Sequence, residues 1–267
     1  MSSNHNRRDF LKRSTAAATG LSLAGMGLPV EEAPAQQTAV PDDEETIRLG
    51  FVGLGGRGSY HLSVALGMPG VRVPAVCDYK EDPLYRAKRW VENAGQPTPT
   101  LYGRSKTDFK RLCAEEDLDA VICATSWKWH APVCLAAMRN EKHAVSEVPI
   151  VQTIDEGWEL IETWKKTGKW ATLGLEQVLL RGSLALLNMV QQGVLGEIIH
   201  ARGGYIHDLR HVKFDPEEEP WRLSHSITEN GDLYPDHPMN WILPALGVNH
   251  GDRFNHLVSM SSVPDKN

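Results

Sequence analysis

From Ile47 onward, short apolar runs of strand length alternate with segments of helical periodicity. Ile47–Val52 is apolar and stops at a cluster of glycines, and a second apolar run ends at Asp78. Residues 118–125 read as a buried strand, 131–139 as a short helix and 142–146 as the next strand. Thr153 and Glu156 are spaced as a capping box, ahead of a helix with Ile154, Trp158 and Ile161 on one face. Residues 169–175 predict a further strand, and 184–190 a helix stopped by Gly193 and Gly196. This alternation implies an α/β domain whose parallel sheet is covered on both faces. Beyond it, residues 198–206, which carry His200 and Tyr205, predict the first strand of a second, α+β unit, and residues 257–260 another. The boundary is expected near residues 147–152. Trp158 and Trp164, both on the helix, are expected at the core or its margin.

Residues 1–35 have a different character. A twin arginine, Arg7-Arg8, precedes an apolar stretch over 16–28, and Ala33-Pro34-Ala35 supplies small residues of the kind found at a cleavage site. The stretch is too short and too rich in glycine for a stable bilayer span. It reads as a twin-arginine export signal, which implies a periplasmic or extracellular location. Residues 36–46 follow as a linker, acidic towards its end. The expected organisation is then a dinucleotide-binding domain over 47–150 and a substrate domain over 151–267. That second domain is expected to be incomplete, since an open sheet needs more strands to cover its face.

The chain carries 28 basic and 34 acidic residues, a formal charge of −6. Without residues 1–35, which hold four basic and three acidic residues, the balance is 24 against 31. Nothing here favours nucleic acid or an anionic membrane as a partner, and a homo-oligomer is left open. Cys77, Cys113, Cys123 and Cys134 form no C-x-x-C spacing and are expected as buried free thiols. His207 and His211 have metal-like spacing without a third ligand, so no metal site is expected.

The chemistry begins at Gly53-Leu54-Gly55-Gly56-Arg57-Gly58. Gly53 permits the tight turn after the strand, Gly55 lets backbone approach a pyrophosphate, and Gly58 lets the helix pack close. The helix N-terminus then offers its N–H groups to phosphate. Asp78, about 20 residues on, is placed to accept from ribose hydroxyls and to repel a 2′-phosphate, which favours NAD over NADP. The first domain is therefore expected to be a Rossmann domain.

The Gly53–Gly58 pattern, Cys77-Asp78, Trp127-x-Trp129-His130 and Glu147-Val148-Pro149 resemble the glucose–fructose oxidoreductase/inositol dehydrogenase/MocA superfamily. The run from Tyr205 to Arg210, with Trp221-Arg222-Leu223, residues 230–235, His237 and residues 251–254 and 258–262, resembles glycoside hydrolase family 109 more narrowly. That resemblance implies an α-N-acetylgalactosaminidase that holds NAD without consuming it. The implied reaction oxidises carbon 3 of the sugar, eliminates the glycosidic oxygen after loss of the carbon 2 proton, adds water and reduces carbon 3 again. The resemblance assigns Gly53, Gly55, Gly56, Arg57, Gly58, Asp78, Trp127, Trp129, His130, Glu147, Val148 and Gln177 to the cofactor. It assigns Arg222, Tyr234 and Glu147 to a carbohydrate substrate. His237 is the candidate acid/base, with Tyr234 as its hydrogen-bonding partner or second relay and Arg222 as clamp.

Val148 stands where dehydrogenases of the superfamily usually carry a lysine that deprotonates the alcohol, which turns the reading away from a plain sugar dehydrogenase. The chain also departs from the family: Lys128 replaces a usual Glu, Pro238-Met239-Asn240-Trp241 follows His237, and no tyrosine stands near Gln177. Two alternatives therefore stay open: an exported sugar or polyol oxidoreductase with net turnover of NAD, and a non-catalytic protein that binds NAD or sugar.

Overall fold

β1 (Ile47–Val52) forms the middle of the sheet because it is apolar on both sides: Phe51 and Val52, which point to opposite faces, are both buried. The computed structural model describes residues 46–174, 179–215, 219–229 and 234–260. β2 (Val71–Cys77) pairs along one side of β1 and β4 (Ala120–Cys123) along the other, so Phe51 stands opposite Val76 and Ile122. With β3 (Thr100–Tyr102), β5 (His143–Ser146) and β6 (Ala171–Leu173), the order is β3-β2-β1-β4-β5-β6, and every pair is parallel. The chain runs outward from β1 to β3, returns, and runs outward again from β4. That reversal leaves a crevice at the carboxyl ends of β1 and β4.

Helices cover both faces, and each face has its own core. On one, Leu62 and Ala65 of α1 (Gly56–Leu66) and Leu84, Ala87 and Val91 of α2 (Glu81–Asn93) close over Phe51, Val73 and Val76. On the other, Phe109 and Leu112 of α3 (Phe109–Glu115) and Val133 and Ala137 of α4 (His130–Arg139) close over Val52 and Val121. Burying each Leu, Val or Phe among them is worth about 1.5–3 kcal/mol. The four cysteines are free and buried, and burial is the largest cause that pushes their thiols up, Cys123 to about 11.

α5 (Ile154–Thr167) starts on the expected capping box: Thr153 Oγ1 accepts from the Glu156 amide, and the Glu156 carboxylate accepts from the Thr153 amide. Its orientation corrects the sequence reading. Leu160 and Thr163 face the core, whereas Trp158 is 60% exposed and Ile154, Ile161 and Trp164 also face outward. The boundary moves as well. β6 pairs with β5, so α5 and β6 belong to the first domain, which runs through residue 174 rather than 150.

Beyond that point the regular elements among the described residues are helices: α6 (Arg181–Gln191), α7 (Arg210–Lys213), α8 (Pro220–Thr228) and α9 (Asp236–Ala245). Residues 198–206 and 257–260 form no strand. A strand exists only by pairing, and the described residues after 174 supply no neighbouring strand. Ile206 is instead fully exposed, while the backbone at Gly203 lies so close to α9 that a Cβ there would fall 2.6 Å from Pro238 and 2.7 Å from Ile242. The open sheet expected of the second domain is thus absent from the described residues.

Candidate active site

Two clusters stand at the carboxyl end of the sheet. The first is the glycine turn. Gly53 has φ +86°, and its amide donates to the Cys77 carbonyl at 2.9 Å. A Cβ on Gly53 would lie 2.7 Å from the Ala124 carbonyl, and one on Gly58 only 1.8 Å from the Gly53 oxygen. Around Gly55 and Gly56, by contrast, no atom comes within 4 Å of an added Cβ. Gly55 is the N-cap of α1 and brings no side-chain cap, so the first turn offers its N–H groups outward. Tight packing behind the turn and open space before it fit a pyrophosphate.

Asp78 closes the end of β2. Its Oδ2 accepts from the Leu54 amide at 2.7 Å and its Oδ1 from the Lys80 amide at 2.9 Å. Those bonds fix the carboxylate beside the turn, and each oxygen keeps a further lone pair for a ribose hydroxyl.

Glu147, directly after β5, is bound from the α1 side. Arg57 donates to it through Nε at 2.9 Å and approaches through Nη2 at 2.8 Å, and His61 Nε2 lies 2.6 Å away. Burial works against a charge on Glu147, but the His61 hydrogen bond and the Arg57 and His61 charges outweigh it and hold the carboxyl down at about 2. Arg57 and Glu147, both candidate cofactor residues, are therefore an ion pair at the mouth of the turn. His61 was missed in the sequence, where a helix interior histidine carries no signal.

The 3₁₀ turn Trp127–Trp129 follows β4, and its members separate. Trp129 packs edge-on against Phe109 over the sheet core. The His130 side chain is 1% exposed, with Nδ1 2.7 Å from the Pro149 carbonyl and Nε2 3.0 Å from the Thr125 carbonyl. His130 thus ties the loop after β4 to the loop after β5, where Val148 is buried. Trp127 alone reaches the second cluster.

That cluster is built on Arg222 of α8. Its guanidinium lies 4.5 Å from the Trp221 ring and 5.2 Å from the Trp127 ring, and donates to the Glu219 carboxylate and the Tyr234 hydroxyl. Burial opposes its charge, but Glu219 and Tyr234 prevail and raise the group above its ordinary value. Tyr234 meets Trp127 edge-on at 5.3 Å and His237 at 5.0 Å. His225 meets Trp127 at 4.7 Å. Burial raises the Tyr234 phenol, with Arg222 pulling against it.

Arg222, Tyr234 and His237, which the resemblance assigned to the site, are thus contiguous. A buried cation, a phenol and an imidazole can clamp an oxygen and move a proton. Glu219, Tyr205 and Asp236 join them without having been read as site residues. Glu219 ends the acidic run 217–219, and its pairing with Arg222 is what places it in the site. Gln177 lies outside the described residues.

Residues 47–175 match the family "Oxidoreductase family, NAD-binding Rossmann fold", and residues 179–266 match "Glycosyl hydrolase 109, C-terminal domain". A glycosyl hydrolase family 109 protein of Saccharopolyspora erythraea is 36% identical over 96% of this chain and 58% of its own length. One of Shewanella pealeana is 36% identical over 96% of this chain and 59% of its own. The chain spans just under three-fifths of both relatives. Apo scyllo-inositol dehydrogenase of Lactobacillus casei has the same fold, with a TM-score of 0.51 at 24% identity over 58% of this chain and 44% of that one. The glycine cradle, the acid that closes it and the match of both halves lead to one conclusion: the chain joins a domain that matches the NAD-binding Rossmann fold of the Gfo/Idh/MocA oxidoreductases to one that matches the C-terminal domain of glycosyl hydrolase 109, and it is similar over most of its length to glycosyl hydrolase family 109 proteins.

Proposed function

We propose that the chain is an NAD-dependent glycosidase that releases α-linked N-acetylgalactosamine-type sugars. One observation carries this reading: the proton-transfer groups lie in the Arg222–Tyr234–His237 cluster, while Val148, beside the cofactor loop, is aprotic and buried. Oxidation of the alcohol releases its hydroxyl proton in either reading; an elimination needs, in addition, a base at the carbon next to the ketone and a donor at its oxygen, and the cluster holds groups for both.

The glycine turn, Asp78 and the Arg57–Glu147 pair would hold the dinucleotide, which supplies reversible oxidation of a sugar carbon. The protein's own residues do the rest. Arg222, held charged by Glu219, clamps a sugar oxygen. Tyr234, accepting from Arg222, donates to the oxygen that gains charge as the enolate forms. His237 takes the carbon 2 proton, the electron pair left on the sugar expels the glycosidic oxygen, and that oxygen takes up a proton from solvent as it leaves. When water adds, its hydroxyl goes to carbon 1, the imidazole returns its proton to carbon 2, and the remaining water proton goes back to solvent.

The test is incubation of the purified chain with an aryl N-acetyl-α-galactosaminide and no added cofactor. Release of the aryl alcohol with an unoxidised sugar supports the reading. A ketosugar with stoichiometric NADH identifies an oxidoreductase instead, and NAD or sugar binding in calorimetry without turnover identifies a binding protein.

We also propose export by the twin-arginine route, on the Arg7-Arg8 pattern over residues 1–35. A reporter fused after residue 35 should reach the periplasm, and Arg7→Lys/Arg8→Lys should retain it in the cytoplasm.

A further inference from the structure

Asp236 and His237 open α9, and their side chains turn towards each other. Asp236 Oδ1 lies 3.5 Å from His237 Nδ1. All three atoms at this junction, Asp236 Oδ1, Asp236 Oδ2 and His237 Nδ1, are shut off from solvent without a hydrogen-bond partner. Buried polar atoms are rarely left so, and a slight turn of either side chain would satisfy two of the three at once.

The surroundings leave His237 few other options. Tyr205 lies flat on its ring, and Tyr234 meets it edge-on. Arg222 stands behind Tyr234, and its charge is already taken up by Glu219. His207 bonds to the far end of Tyr205. Asp236 is the acid that faces the imidazole. It occupies the first turn of α9, where the N–H groups of the helix favour a carboxylate. Burial raises the Asp236 carboxyl, with His237 pulling it back down.

We propose that Asp236 is the positioning residue for His237: its carboxylate holds the proton on Nδ1 and leaves Nε2 as the basic nitrogen of the ring. In a neutral imidazole one nitrogen carries the proton and the other the lone pair, and the partner of the first decides which is which. When Nε2 takes a proton from the substrate, the imidazolium charge reaches the Asp236 carboxylate through Nδ1–H. The electron pair left behind stays on the sugar. This assignment rests on the glycosidase reading for the identity of the proton, but not for the state of the ring.

The experiment is nitrogen NMR on the full chain with ¹⁵N-labelled histidine, near pH 8, with His237 identified by the loss of its signals in His237→Gln. The wild-type spectrum should show the proton on Nδ1. Asp236→Ala should move it to Nε2, the tautomer that free histidine favours. Asp236→Asn, whose amide oxygen can still accept from Nδ1–H, should keep it on Nδ1 and serves as the conservative rescue. A wild-type ring with its proton on Nε2 overturns the proposal, and so does an unchanged tautomer in a folded Asp236→Ala. In turnover of the aryl substrate, Asp236→Ala should lower kcat about 10²-fold with KM nearly unchanged. If the wild-type chain cleaves no aryl glycoside, the glycosidase reading fails while the tautomer still decides the role of Asp236.

Discussion

Tyr205 stacks on His237 with ring centroids 3.9 Å apart and 26° between the planes. Residues 198–206 bring it there as irregular chain rather than as a strand, and the close pass of Gly203 over α9 fixes the approach. The stack limits rotation of the imidazole, and the ring face does this without help from the hydroxyl. Tyr205→Phe should therefore keep most of the activity, whereas Tyr205→Ala should lower kcat by about tenfold as the ring loses one wall. Steady-state kinetics of both variants on the aryl substrate check this.

Gly58 and Gly55 make opposite demands on the same turn. A methyl at Gly58 would fall 1.8 Å from the Gly53 carbonyl oxygen, a backbone atom that cannot move without shifting α1. Gly58→Ala should cost about 1–3 kcal/mol of stability and abolish NAD binding. A methyl at Gly55 meets nothing within 4 Å. Gly55→Ala should therefore melt close to the wild-type temperature while losing NAD affinity, because its methyl stands where backbone must approach the pyrophosphate. Thermal melts paired with NAD calorimetry separate the two effects.

The Arg57–Glu147–His61 group predicts acid sensitivity with a definite sign. Glu147 is held at about 2 in the folded chain, against 4.5 for an ordinary glutamate. A depressed carboxyl contributes stability that is present above the ordinary value and is lost as pH falls towards the folded value. At one pKa unit per 1.36 kcal/mol, the contribution is at most about 3 kcal/mol. Wild-type stability should then fall between pH 4.5 and about 2 more steeply than that of Glu147→Gln. Urea midpoints across that range measure the difference.

The patterns that were legible in the sequence are local ones. Strand, glycine turn, helix and Asp78 follow one another within some thirty residues, and the Thr153–Glu156 box within four, so periodicity and turn chemistry sufficed. The misread features depend on partners far along the chain. β6 belongs to the first domain only because it finds β5. Residues 198–206 have strand composition, but pairing decides whether a strand forms. An apolar stripe such as Ile154, Trp158 and Ile161 shows that a helix has two faces without showing which one meets the sheet. Within the site, His61 and Glu147 are 86 residues apart, and no motif links them. Arg222, Tyr234 and His237 were found through family resemblance, since a lone Arg, Tyr or His has no signature of its own. What the resemblance did not carry is the shell around them: Glu219, Tyr205 and Asp236.

Asp78 offers the most direct test of cofactor choice. Its carboxylate is fixed by the Leu54 and Lys80 amides, so it meets the adenosine ribose as a rigid acceptor rather than a mobile one. Two effects follow from one group. It accepts from the ribose hydroxyls of NAD, and its charge repels the 2′-phosphate of NADP. Asp78→Asn keeps the size and most of the acceptor capacity but removes the charge. NAD affinity should fall modestly, by about tenfold or less, as charge-assisted bonds become neutral ones. NADP affinity should rise, because the repulsion has gone. Asp78→Ala should weaken NAD further, since the Leu54 and Lys80 amides lose their acceptor and the turn loosens. Calorimetric titration of both cofactors against wild type, Asp78→Asn and Asp78→Ala gives the comparison, and an unchanged NAD/NADP ratio in Asp78→Asn would remove Asp78 from cofactor selection.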